Sequence, residues 1–154
     1  VFPKDYGKEL RTEFWTAFGK HMQRHRPARG SKVKWVNYLT GIKDLYFRLH
    51  ADQQGVGISI DIQHRDPALR EVFYDQWWEL ETMLHTMTGH PWTWTREFQL
   101  PSGETISRIS HAQSGFNLYE KADWKAMFKY FEQHLLPLDE IWGDAYDIFK
   151  DLQD

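Results

Sequence analysis

The sequence predicts an α+β domain with a mainly antiparallel sheet of about five strands, and three observations lead there. Apolar residues recur every three to four positions in the first, middle and last parts of the chain, which is helical spacing. Between those parts apolar and polar residues alternate, which is strand spacing. Short turns at Gln53-Gln54-Gly55 and Pro101-Ser102-Gly103 join consecutive strands, so those neighbours pair antiparallel. With 154 residues, 41% of them apolar, and 8 Trp, 7 Tyr and 10 Phe, the chain suffices for one core, and residues 1–154 read as a single domain.

From Asp5 to about His25, Leu10, Phe14, Phe18 and Met22 make a helical stripe that ends before Pro27 and Gly30. Val33 to Tyr38 is β-prone and reads as a first strand. In the second, Leu45, Phe47 and Leu49 alternate with Asp44, Tyr46, Arg48 and His50. The third is the clearest, with Val56, Ile58, Ile60 and Ile62 alternating against Gly57, Ser59, Asp61 and Gln63. Asp66-Pro67 supplies an N-cap and a first-turn proline for one long helix through Leu69, Phe73, Trp77, Leu80 and Leu84, ending at Gly89. A hairpin from Trp92 to Leu100 and from Thr105 to His111 pairs Leu100 with Glu104 and Phe98 with Ile106. That register sets Arg96 opposite Arg108, and the like-charge pair predicts a bulge. Ala122 to Leu136 and Leu138 to Leu152 read as two helices broken at Pro137. The expected order is therefore helix, three strands, helix, two strands, two helices.

The absence of cysteine rules out disulfides, thiolate metal sites and cysteine nucleophiles. No apolar run approaches the roughly 20 residues of a membrane span and no signal-peptide core is present, so a cytoplasmic protein without a membrane partner is expected. The chain begins at Val1, which leaves open whether it is cut from a longer one. No Gly-rich loop opens a helix, and Ser114-Gly115 lacks the flanks of a nucleophile elbow.

Charge gives the strongest functional lead. Between Phe14 and Lys43 there is no acidic side chain, yet Lys20, Arg24, Arg26, Arg29, Lys32, Lys34 and Lys43 are basic in a chain of formal net charge −3. A basic segment held apart from acidic surface predicts a non-catalytic domain that binds a polyanion, DNA or RNA above all. The expected contacts are Lys20, Arg24, Arg26, Arg29, Lys32 and Lys34, with Tyr38 to stack on a base. They form one patch only if the loop from Arg26 to Lys32 folds back beside the first helix. The acidic last helix, with Asp139, Glu140, Asp144, Asp147 and Asp151, competes for the same charges.

Three further readings come from other residues. In the hairpin that pairs residue 52 with 55, Tyr46 faces Asp61 and Asp44 faces Gln63, so Asp44 and Asp61 are diagonal neighbours able to share Mg²⁺. The bland alternative is a solvated sheet face on which Arg48 neutralises Asp61. His21 and His25 lie four apart on the first helix, but Lys20, Arg24 and Arg26 repel a cation and no nearby carboxylate completes a site, so no metal is expected there. His50, His64, His85, His90, His111 and His134 show no ligand spacing. A protein-interaction module or homodimer would use Trp78, Tyr74 or Trp142, which lie beside the helix stripes. No cofactor is expected outside the Mg²⁺ reading.

Helix, three strands, helix, strand resembles the core order of restriction-endonuclease-like nucleases. Their motif, an Asp followed on the next strand by Asp or Glu, any residue and Lys, falls on Asp44 and Asp61-Ile62-Gln63, with Gln63 in the lysine position. The resemblance implies a degenerate, divalent-metal-dependent nuclease with Asp44, Asp61 and Gln63 at its site. A second resemblance covers nearly the whole chain. The run from Lys34 to Tyr46, with Glu13-Phe14-Trp15, Trp92-Thr93-Trp94, Ile106-Ser107-Arg108-Ile109 and Leu138-Asp139-Glu140-Ile141-Trp142, is similar to a bacterial family known only as a domain of unknown function. Members of that family are small stand-alone proteins or follow a predicted nuclease domain, which implies an accessory role near DNA and no catalytic residue.

Overall fold

Leu10, Phe14, Phe18 and Met22 form the buried stripe of helix α1 (Lys4–Met22) in a computed structural model that describes residues 4–153. After a loop over residues 23–44 come β1 (Leu45–Ala51), β2 (Gly55–Ile62), α2 (Pro67–Trp78) and α3 (Glu81–Thr88). A second hairpin, β3 (Thr93–Gln99) and β4 (Thr105–Ser114), leads through a 3-10 turn at Lys121–Asp123 to α4 (Trp124–Gln153). The four strands form one antiparallel sheet in the order β1-β2-β4-β3, so the α+β class holds. Val56, Ile58, Ile60 and Ile62 of the central strand β2 are fully or almost fully buried, as an alternating strand in the middle of a covered sheet requires. Trp142 of α4 stacks on Trp77 of α2 at 5.7 Å and meets Phe47 of β1 edge-on, which ties both helices to the sheet.

Three expected elements differ. The sheet has four strands and not five, because Val33 to Tyr38 runs in the loop. Trp35 and Tyr38 are both buried, and residues three apart cannot share one face of a strand. Asn37 between them adopts a left-handed φ of 61° that lets both rings turn inward. The central helix divides at Leu80, whose φ of −97° and ψ of 4° leave helical geometry and turn α3 toward α4. Pro137 fails to divide α4. An interior proline costs about 3 kcal/mol. Phe131 and Leu135 before it and Leu138, Ile141 and Trp142 after it lie on one buried stripe, and each is worth about 1.5–3 kcal/mol, so burial wins.

The hairpins keep the expected registers. Tyr46 faces Asp61, and Phe98 faces Ile106. The bulge falls where like charge demanded it: Thr95, not Arg96, faces Arg108, and Arg96 swings out to Glu71 at 2.9 Å and Asp75 at 3.1 Å.

Helix α4 also anchors the long loop. Its buried Asp139 accepts hydrogen bonds from the Ala28 amide at 2.9 Å and the Tyr38 hydroxyl at 2.5 Å, while the Trp142 indole donates to the Thr40 carbonyl at 3.0 Å. The loop lies so close that a Cβ on Gly143 would sit 2.8 Å from the Cβ of Ala28. Alanine in a helix interior gains about 1 kcal/mol over glycine, but overpacking against a short, rigid neighbour costs about 1–3 kcal/mol. Gly143→Ala is therefore expected to lower Tm in thermal unfolding followed by circular dichroism, against its helix propensity. A rise in Tm would show that the loop does not dock there.

Candidate functional site

The loop does fold back beside α1. Val36 packs over Gly19, with its Cγ2 3.7 Å from where a Cβ would stand. Between loop and helix opens a cleft of about 950 Å³, lined by Lys20, Arg24, Arg26 and Lys34 with Trp15 and Val33 among its apolar walls. Among the described residues no aspartate or glutamate lines it. Lys20, Arg26 and Lys34 are exposed and, among the described residues, have neither an ion pair nor a side-chain hydrogen bond. A cleft with one sign of charge and a low-dielectric wall focuses its field on an incoming anion.

The other basic residues sort differently. Arg29 turns inward, donating to the Thr40 carbonyl at 2.8 Å with its guanidinium 4.0 Å over the Tyr146 ring. Tyr38 is buried against Asp139, and burial followed by that hydrogen bond pushes its hydroxyl pKa far up. Neither can contact a ligand in the cleft, so both leave the expected contact set. Lys32 is exposed outside the cleft lining, and Lys43 stands apart at the other end of the loop. Trp35 is core, its indole donating to the His25 carbonyl at 3.0 Å.

Arg24, unlike Lys20, Arg26 and Lys34, has an acidic partner among the described residues. It donates to both oxygens of Glu132 on α4, at 3.0 and 3.1 Å, while His25 reaches the same carboxylate at 2.8 Å and His21 also bonds it. Sequence spacing gave these histidines no carboxylate; the fold brings one from more than a hundred positions away. Burial alone would raise the Glu132 carboxyl, but the hydrogen bonds from His21, His25 and Arg24 outweigh it and lower it to about 2. A depressed carboxylate contributes stability that is full above its unfolded value and lost as pH falls through its folded one. The wild type should therefore lose Tm between pH 4.5 and about 2, and Glu132→Gln should flatten that part of the profile. Parallel profiles would remove Glu132 from the acid response.

The hairpin face gathers a different set. Asp61 is fully buried, with Arg108 donating to both its oxygens at 2.8 Å and Arg48 to Oδ2 at 3.1 Å. Gln63 accepts from Arg48 at 2.7 Å. Asp44 precedes β1 with a left-handed φ of 62°, and its carbonyl accepts from the Gln63 amide at 2.7 Å. A Mg²⁺ ion at Asp61 would have to displace two guanidinium groups, and Gln63 is engaged with one of them; the geometry is that of a neutralised sheet face. Of the aromatic residues named for a protein interface, Tyr74 and Trp142 are buried and Trp78 is 54% exposed.

The sequence model of the domain of unknown function DUF4268 matches residues 10–146. The chain belongs to the DUF4268 family. No curated protein and no solved structure matches it. The match runs from the first buried residue of α1 to the ring under Arg29, so this DUF4268 domain contains the cleft and the Asp61 cluster entire. Among the described residues no helix is long and apolar enough to cross a membrane.

Proposed function

We propose that this DUF4268 domain is a non-catalytic binding domain whose cleft takes a polyanion, the phosphodiester backbone of DNA or RNA. The observation that carries the reading is that, among the described residues, no carboxylate lines the cleft beside α1 and Lys20, Arg26 and Lys34 on its rim have no ion pair. Unpaired exposed ammonium and guanidinium groups hold condensed anions loosely and exchange them for phosphate with release of counterions. Because Tyr38 and Trp35 are buried, the cleft offers cations rather than a row of stacking rings, so recognition follows the backbone and tolerates base sequence.

The test is fluorescence-anisotropy titration of labelled single- and double-stranded DNA and RNA at two salt concentrations. Micromolar binding that weakens as salt rises, with a log–log slope of about −2 to −3 for three phosphate contacts, is the expected result. No salt-dependent binding at micromolar protein would sink the reading.

A further inference from the structure

We propose that His90, His111 and His134 form a three-histidine site for a divalent transition-metal ion, zinc foremost, with a coordination position left to water. The residues come from three elements: His90 follows the C-terminus of α3, His111 lies on β4 and His134 sits within α4. One nitrogen from each lies within 4.8 Å of the others. Between His90 and His134 the nitrogens are 3.1 Å apart, the ring centres 5.1 Å apart and the planes 13° apart, so the two rings lie near-parallel and offset, with nitrogen brought beside nitrogen. Zinc–nitrogen bonds of about 2.0–2.1 Å in tetrahedral geometry need ligand nitrogens about 3.3 Å apart. The pair is already near that spacing; His111 has a nitrogen within 4.8 Å of the other two, and its ring, only 17° from parallel to that of His134, turns about its side-chain torsion to aim that nitrogen at the ion.

The groups around His134 and His111 set their tautomers as a metal would require, while His90 Nδ1 donates to His134 Nε2 and gives up that hydrogen when an ion takes its place. His134 Nδ1 bonds the Tyr130 carbonyl at 2.9 Å, a group that can accept but not donate, so it carries the hydrogen and leaves the Nε2 lone pair toward His90. Tyr130 Oη donates to the His111 carbonyl at 3.2 Å and so accepts from His111 Nδ1 at 2.8 Å, which frees His111 Nε2 in the same way. Metal-bound histidines characteristically spend their second nitrogen on such a carbonyl or oxygen partner, which fixes the ring. Imidazole donors with no carboxylate in the set suit zinc, copper or nickel and not magnesium or calcium. His134 is fully buried while His90 and His111 are half-exposed, which gives an ion a path in and water a place beside it.

The inference is independent of the anion-binding reading and is tested without nucleic acid. Chelator-treated protein titrated with zinc chloride in a calorimeter should bind one equivalent at micromolar concentration or tighter and gain Tm with zinc. His90→Ala and His111→Ala, both at half-exposed positions where folding can be checked by circular dichroism, should each weaken binding at least tenfold. Cobalt should give the visible bands of a four-coordinate site in the wild type and lose them in both variants. The double variant of His21 and His25 to alanine should bind as the wild type does. The proposal is overturned by the lack of an equimolar zinc site, by zinc binding that survives both single variants, or by its loss in the His21 and His25 variant.

Discussion

Asp61→Ala should be the most damaging of the substitutions considered, lowering unfolding free energy in urea by about 3–5 kcal/mol. The carboxylate is fully buried and takes three hydrogen bonds from Arg108 and Arg48. Removing it leaves two guanidinium groups facing each other with no anion between them, and Arg108, 16% exposed, cannot leave for water without opening the sheet face. Arg48, 43% exposed, can leave, so Arg48→Ala should cost far less, about 1 kcal/mol. The ordering separates two accounts of Asp61. A carboxylate kept for structure gives a large loss for Asp61→Ala and a smaller one when Arg108→Ala is added, because the stranded charge is gone. A loss below about 1 kcal/mol for Asp61→Ala would mean the cluster is solvated and the carboxylate free for other work.

That cluster shows how far the sequence could be read. Period-two alternation from Val56 to Ile62 and the turn at Gln54 set the β1–β2 register, so Arg48 beside Asp61 was legible from local pattern alone. Arg108 was not, because it arrives from β4, whose place next to β2 and not at the edge follows from a crossover that no local pattern encodes. The bulge at Arg96 was legible as a charge conflict, since the Pro101 turn fixed the register that produced it. Val33 to Tyr38 misled for the converse reason: its β propensity is genuine, but Asp139 of α4 accepts from the Tyr38 hydroxyl and the Phe47 ring of β1 packs on Tyr38, which buries the segment as loop. Pro137 misled because a proline rule weighs one lost hydrogen bond and does not see the stripe beneath it. Glu132 with His21, and His90 with His111 and His134, are constellations across elements; their members are separated by tens of residues or more, and spacing carries no trace of them. The cleft stood between these cases. Its charges were visible in the sequence, and its existence depended on one loop lying down on α1 and α4.

Substituting Lys20, Arg26 and Lys34 together by alanine should abolish most of the proposed binding while leaving the fold intact. At about 0.1 M salt a slope of −0.9 per phosphate corresponds to about eightfold in affinity per contact, so three contacts give a loss of several hundred-fold. The log–log salt slope should flatten by about three at the same time. All three residues are exposed and unpaired, so each change should alter stability by no more than about 0.5 kcal/mol. Two comparisons make the result specific to the cleft. Lys43→Ala removes one charge from the same acid-free segment but outside the cleft, and should leave affinity within about twofold at that salt. Arg24→Ala removes a cation from the cleft lining and leaves the Glu132 carboxylate to His21 and His25 alone, so it should weaken binding more than loss of any one of the unpaired cations. If Lys43→Ala weakens binding as much as Lys34→Ala does, the attraction belongs to the net field of the segment and the cleft has no part in it; if Arg24→Ala alone is decisive, the ligand meets the protein at Glu132 and not along the loop.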